Sequence, residues 1–272
     1  MREFKSRKQS PENIKTNIEE PKNFKVEKSA LTLPSKFKRM HDNKPWTYFE
    51  QDLRLYYALT TQIDAMLGRI VEHLKSENLF DNTVIIFTSD HGTHCGKHGG
   101  LIDKGFSHYE EALRTGCVIF DPRDRVKRVI NNYTGLIDIY PTILDYEGAE
   151  IPEESDGHSL RALMVEEKNS WKDHAFIEFY GLGNVVTTML TVVYNGMKYG
   201  WNATNSDELY DLINDPLETK NLIDKEEYKT KLQKLREKLY IHLKEHNNVL
   251  QYIFKIFVLQ HNYPEICGDV PH

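Results

Sequence analysis

Positive charge is not in excess here: 35 Lys and Arg stand against 41 Asp and Glu, a formal net charge of -6. Nucleic-acid binders leave a basic footprint, so nucleic acid is not an expected partner. Cysteine is scarce. Cys95, Cys117 and Cys267 are widely spaced and odd in number, which reads as neither a disulfide framework nor a zinc site. Long hydrophobic runs are also missing. The longest, Val249 to Leu259, carries Gln251 and Lys255 and is too short to span a bilayer. The opening residues, MREFKSRKQSPENIK, lack the apolar stretch of a secretory signal. The expectation is a soluble chain without a membrane span. No internal repeat is found.

What is present suits a folded protein. The 272 residues are 39% hydrophobic and 28% charged, enough to bury a core in one or two domains. Residues 1–45, rich in Lys, Glu, Asn and Pro, read as a polar extension or linker. From Tyr48 to Asn78, Leu53, Tyr56, Leu59, Ile63, Met66, Leu67, Ile70 and Leu74 recur at steps of three and four, predicting a helix with one apolar stripe. A short loop and an apolar run follow, half of a βαβ unit. Residues 108–114 read as a short helix and Cys117 to Asp121 as a second strand. Leu136 to Tyr146 is amphipathic, with Pro141 kinking it or marking a first turn. Past Lys172 the texture becomes β-rich, over 174–180, 187–194 and 197–201, predicting a small antiparallel sheet. Leu232, Leu235, Leu239 and Leu243 then mark a long amphipathic helix over 226–246.

The chain is organised around Thr83 to Lys104, TVIIFTSDHGTHCGKHGGLIDK. Val84 to Phe87 is a nearly continuous apolar run, the pattern of a parallel strand covered on both faces. It ends at Ser89-Asp90-His91-Gly92, and open α/β sheets bind ligands beyond the carboxyl ends of their strands. Gly92 would let Asp90 and His91 turn toward one centre. A carboxylate beside an imidazole can hold a divalent cation; equally, the Asp can cap the loop and the His bond to backbone. His94, Cys95, Lys97 and His98 crowd the same loop. Packing suits Cys95 better than catalysis, because no base with a recognised motif accompanies it. Lys104 can act as a point charge for an anionic oxygen, or simply be solvated. His108, Glu110 and Glu111 read first as helix-start residues. Asn132-Tyr-Thr134 and Asn202-Ala-Thr204 match the glycosylation pattern.

The ordered run YYALTTQIDAMLGRIVEHL, NLFDNTVIIFTSDHG, GKHGGLIDKG and HYEEALR resembles the sulfatases of the alkaline-phosphatase superfamily. So does the later ELYDLINDPLETKNL. The resemblance implies an α/β fold: an alkaline-phosphatase-like mixed sheet flanked by helices, in part, over 46–165. A small α+β subdomain with an antiparallel sheet and a long helix would follow over 166–246, and an apolar tail over 247–272. It implies Asp90 and His91 as metal ligands, Lys104 as the contact to the sulfate group, and His98 as a pocket histidine with a catalytic and substrate-binding role. The implied cation is Ca2+, with Mn2+ or Mg2+ as alternatives, and the implied substrate is a sulfated small molecule or glycan. Arg114-Thr-Gly-Cys117 departs from the family, which usually has a proline after the arginine.

The nucleophile of the family is a formylglycine made from the Cys or Ser of a C/S-x-P-x-R motif, and that motif occurs nowhere in these 272 residues. The expectation is therefore a sulfatase, a sulfuric ester hydrolase, present as an incomplete chain that is inactive alone. Its formylglycine and paired N-terminal aspartates would lie in an N-terminal half. The alternatives are a phosphodiester or phosphonate monoester hydrolase of the same superfamily, and a non-catalytic remnant acting as a binding protein.

Overall fold

The first helix, α1, covers Trp46–Ser76, close to the span its periodicity predicts. It ends where Asn78 takes a left-handed conformation (φ 58°), which asparagine tolerates better than most residues, and the Leu79 amide donates to the Leu74 carbonyl. The structure, a computed structural model, describes residues 18–25, 44–165, 171–181, 187–204 and 206–260. Most of the predicted 1–45 extension, and the end of the apolar tail with Cys267, lie outside the described residues.

The described residues form two units. The first comprises 18–25, 44–104 and 109–127; the second comprises 105–108 and the described residues from 128 onward.

In the first unit, strand β1 (Ile85–Thr88) leads to a short helix α2 (Glu110–Leu113) and strand β2 (Cys117–Phe120). The two strands pair antiparallel, Ile85 opposite Phe120 and Thr88 opposite Cys117. This corrects the expectation of a parallel strand covered on both faces. No residue of β1 is fully buried, and Phe87 is exposed. An apolar β-branched run records what a strand can pack against, not the direction of its neighbour. The helix stripe is buried only at its start. Only Trp46, Phe49 and Leu53 of α1 are buried, packed with Ile18, Phe24, Cys95 and Ile102. Tyr56, Leu59, Ile63, Met66 and Ile70 are 44–58% exposed.

In the second unit, a 3-10 turn Leu136–Asp138 opens into α3 (Ile139–Glu147), so Pro141 stands in the first turn and makes no kink. Asp138 is buried and accepts from the Gly135 and His158 amides and from Lys172 Nζ at 2.8–3.0 Å. After α4 (Arg161–Val165) come β3 (His174–Phe179), β4 (Met189–Tyr194), β5 (Met197–Asn202) and β6 (Glu208–Asp211). They form an antiparallel sheet in the order β3-β4-β5-β6. The first three match the sequence reading; β6, part of the ELYDL run, was not anticipated as a strand. Helix α5 (Lys229–Glu245) buries all four predicted leucines against Leu190, Val192, Tyr199, Trp201 and Leu209 of the sheet. The apolar tail continues as α6 (Leu250–Phe254) and a π-helical turn, with Phe254 and Val258 joining this core.

A polar network lies inside that sheet. Lys198 and Glu218 form a fully buried ion pair at 2.6 Å, and Lys198 Nζ also donates to the His108 carbonyl at 2.8 Å. Partnerless, either charge would cost several kcal/mol. The His108 ring lies against Thr191 Oγ1 and Asn202 Oδ1 at 2.7 and 3.3 Å, and burial pushes its pKa down to about 3. Glu208 accepts from the Tyr210 hydroxyl at 2.7 Å, while burial, with Glu218 nearby, pushes its carboxyl up to about 7. Asn202 is buried within β5, so its glycosylation motif is inaccessible in the folded protein.

Candidate active site

The Asp90-His91 dipeptide sits just past the end of β1, in the first unit. A loop leaves the strand there because Gly92 presses its backbone on the turn opposite. Its amide donates to the Ala112 carbonyl at 3.0 Å, and a Cβ on it would stand 2.0 Å from the Glu111 carbonyl oxygen. Close approach, more than torsional freedom, is what requires glycine at this position.

The two side chains meet. His91 Nε2 lies 3.3 Å from Asp90 Oδ2, and Asp90 Oδ1 accepts from the His91 amide at 2.9 Å. His91 Nδ1 lies 2.8 Å from the Gly92 carbonyl oxygen. A carbonyl only accepts, so Nδ1 carries the proton. In the neutral ring Nε2 then turns a lone pair toward a carboxylate. Two acceptors facing at this distance call for a positive charge, either a second ring proton or a cation. Asp90 is 82% exposed at its side chain, so nothing among the described residues walls off the open side. This donor set, one imidazole nitrogen and a carboxylate, fits a divalent cation. The Nδ1 bond to a backbone carbonyl is the usual way a protein orients a ligating imidazole.

The loop after Gly92 folds back on itself. The His94 amide and Thr93 hydroxyl both donate to the Asp103 carbonyl, at 3.0 and 3.2 Å, and the Gly96 amide donates to Leu101 at 2.7 Å. Gly96 is left-handed (φ 86°) with the Phe49 ring where a Cβ would stand. The closed loop delivers Lys104 to its far end, partly exposed, with Nζ 3.7 Å from Asp103 Oδ1. Cys95 packs against the Trp46, Phe49 and Leu53 cluster, and burial pushes its thiol pKa up, as suits an inert packing residue.

His98 is drawn inside. Its side chain is fully buried, stacked on Tyr109 with ring centroids 3.5 Å apart. Its Nε2 lies 2.9 Å from Glu111 Oε2, and Lys97 Nζ lies 3.2 Å from Glu111 Oε1. Asn23 Nδ2 donates to the same Oε1 at 2.8 Å, and its backbone carbonyl accepts from the His98 amide at 2.6 Å. Burial alone would raise the Glu111 carboxyl. The hydrogen bond and charge of His98, with Lys97 and Asn23, outweigh it and hold that carboxyl well below the usual range. Glu111 and Tyr109 are the residues that sequence reasoning passed over. Glu111 reads as an ordinary helix-start acid, and no local signal marks an acid that pairs with a histidine 13 positions back.

Residues 5–149 match the family description Sulfatase, and residues 96–245 match N-sulphoglucosamine sulphohydrolase, C-terminal. An arylsulfatase of Clostridium perfringens is 34% identical over 187 residues, 67% of this chain and 38% of that protein. Arylsulfatase K of the dog, Canis lupus familiaris, is 33% identical over 181 residues, 62% of this chain and 33% of that protein. The chain thus spans 33–38% of the length of these two relatives. Among solved structures, BT1596, a 2-O GAG sulfatase, shares the fold at a TM-score of 0.76 and 24% identity, covering 88% of this chain and 55% of that one. BT4656, solved with its substrate D-glucosamine-2-N,6-O-disulfate, aligns at a TM-score of 0.64 and 29% identity, over 74% of this chain and 42% of that one. The phosphonate monoester hydrolase of Agrobacterium radiobacter aligns at 0.67 and 28% identity, over 73% and 42%. The architecture is accordingly α/β, of the alkaline-phosphatase-like kind with a C-terminal subdomain, and because the Sulfatase description covers more than half of its residues, this chain belongs to the sulfatase family.

Proposed function

We propose that these 272 residues supply one wall of a sulfatase active site, and that the nucleophile and the remaining metal ligands come from polypeptide outside them. The observation that carries this reading is the Asp90-His91 pair, with an imidazole lone pair and a carboxylate oxygen 3.3 Å apart at a strand end. Asp90 and His91 would hold a divalent cation, Ca2+ first and Mn2+ or Mg2+ as alternatives. Such a cation lends positive charge to the oxygens of a transferring sulfuryl group. Lys104, on its mobile stem at the end of the closed loop, adds a point charge to the same oxygens. His98 acts here as a positioning residue. Buried on Glu111 and Tyr109, it fixes the loop that carries Lys104. The substrate class is a sulfated small molecule or glycan, the class to which the substrate of BT4656 belongs. The division at about residue 165 into an α/β part and an α+β subdomain belongs to the same proposal.

The outside-nucleophile part rests on the absence of a C/S-x-P-x-R sequence in the chain. The exposed stripe of α1 agrees with it, since apolar residues 44–58% exposed along one helix face suit a covering layer. The alignment with a phosphonate monoester hydrolase favours a second reading, in which the same site takes a phosphonate or phosphodiester. The sulfatase reading is tested by titrating Ca2+ into the chain while following the His91 ring protons by NMR. The expected result is weak, saturable binding that Asp90→Asn removes. A response unchanged in Asp90→Asn would overturn the assignment. Faster hydrolysis of aryl phosphodiesters than aryl sulfates by a protein carrying this chain with its nucleophile would favour the second reading.

A further inference from the structure

Residues 121–135 join β2 to the Leu136–Asp138 turn without helix or strand. Connections of this length are uncommon in compact domains and usually carry a function of their own. The start of the loop is tied down. Asp121 is buried and accepts from the Arg123 amide and guanidinium at 2.9–3.0 Å. The Asp124 amide donates to the Asp121 carbonyl at 3.1 Å. Past Asp124 the loop stands in the open. Every residue from 125 to 132 is exposed, with Val126 at 64% and Val129 at 80%. Exposed loops of this kind are where proteases cut folded chains.

Within this run lies Arg125-Val126-Lys127-Arg128, and Arg-x-x-Arg occurs nowhere else in the 272 residues. The cations do not gather into a patch for a polyanion: Arg123 already faces Asp121, and Arg125 faces Asp81. What distinguishes the run is its spacing. A protease that binds its substrate as an extended strand takes successive side chains into separate subsites. An acidic subsite holds arginine by a bidentate contact to carboxylate and lysine as a point charge. Arg125 must first leave Asp81. That pair is 57% and 80% exposed at its two ends, and ion pairs so exposed hold weakly.

We propose that the Arg128–Val129 bond is a processing site for a subtilisin-like endoprotease with acidic subsites, which reads Arg128 beside the cut, Lys127 behind it and Arg125 as the outermost contact. Water is the co-reactant. The C–N bond between Arg128 and Val129 breaks, the Arg128 carbonyl carbon gains the water hydroxyl, and the Val129 nitrogen takes the remaining proton. The chain passes from the first unit to the second here, between Lys127 and Arg128. Cleavage would still leave one stretch of the N-terminal fragment within the second unit, because residues 105–108 belong to it. Phe106 is buried against the Phe179 ring, with centroids 5.2 Å apart. His108 is buried on Thr191 and Asn202, and its carbonyl accepts from Lys198. Fragments 1–128 and 129–272 should therefore stay together as a two-chain form. None of this depends on the sulfatase reading.

Timed digestion of the full, folded 272-residue chain by a subtilisin-like endoprotease selective for Arg-x-Lys-Arg tests this. N-terminal sequencing and intact mass should find one early cut, with Val129 as the new N-terminus. The two fragments should elute together from a sizing column until denaturant is added. Arg125→Gln should slow the cut at least about tenfold through loss of a charge-assisted contact to the protease, and Arg128→Gln should abolish it. Both positions are exposed, so the fold should survive, and circular dichroism of each variant checks that. Survival of the folded chain, whether or not its unfolded form is cut, would overturn the proposal. So would a first cut elsewhere, or an unchanged rate in Arg125→Gln. Fragments that separate without denaturant would overturn the two-chain form.

Discussion

At the scale of single residues, charge placement organises this protein more than residue type does. Glu111 is the clearest case. It draws on His98, Lys97 and Asn23 at once, and removing one member of a mostly buried set leaves the others without compensation. Glu111→Gln should cost roughly 3 kcal/mol. The pH dependence has a definite sign. A carboxyl whose folded pKa lies below its unfolded value stabilises the fold fully above that unfolded value, about 4.5 here. The contribution is lost as pH falls through the folded value. Melting curves of the wild type and Glu111→Gln should therefore differ most near neutrality and converge as the solution is made more acid than about pH 4.5. A gap that stayed constant down to strongly acid pH would mean that Glu111 acts by shape and not by charge. The histidine at position 98 was visible in the sequence, but its partner was not. The pairing spans a loop whose closure depends on left-handed residues and on contacts with Asn23, far back in the chain.

At the scale of elements, α1 shows how far periodicity reaches. Its 3.6-residue stripe locates the helix to within two residues at each end, because propensity and repeat are local properties. Burial is not local. Leu53 is packed beneath Phe24 and Trp46, whereas Leu59, on the same stripe, is open to solvent. Leu53→Ala should cost about 3 kcal/mol, and Leu59→Ala about 0.5 kcal/mol or less, measured by denaturant unfolding of the chain. Equal losses at the two sites would show that the stripe is covered in solution. Helix α5 behaves otherwise: all four stripe leucines are buried, because the β4 and β5 faces they meet lie within the chain. Strand β6 escaped notice for a different reason. Glu208-Leu-Tyr-Asp sets two bulky residues between two acids over only four residues, without alternation, and such a short run takes its strand character from pairing with β5.

At the scale of the whole molecule, two facts stand together. The chain spans 33–38% of two arylsulfatase relatives, and it contains no formylglycine motif. On the proposed reading, a cation at Asp90 and His91 and a sulfate at Lys104 would lower a barrier only if a nucleophile stood opposite. The purified 272-residue chain should therefore show no multiple-turnover hydrolysis of an aryl sulfate, with or without Ca2+. Sustained product release by that chain, undiminished in Lys104→Ala, would point to a contaminating enzyme; release abolished in Lys104→Ala would overturn the outside-nucleophile reading.

The amino-acid sequence alone determined where the helices and most strands lie, that a polar loop follows an apolar strand, and that this order resembles a sulfatase. These follow from local repeat, turn residues and motif spacing. Only the tertiary structure decided that β1 pairs antiparallel with β2, that Gly92 is a contact point, and that His98 is sealed onto Glu111. It also brought His242 and His246 against carboxylates from two other segments. Each of these depends on residues distant in the chain. Side-chain chemistry can be read along the sequence, but the sign of the charge facing it is set by what the fold carries there.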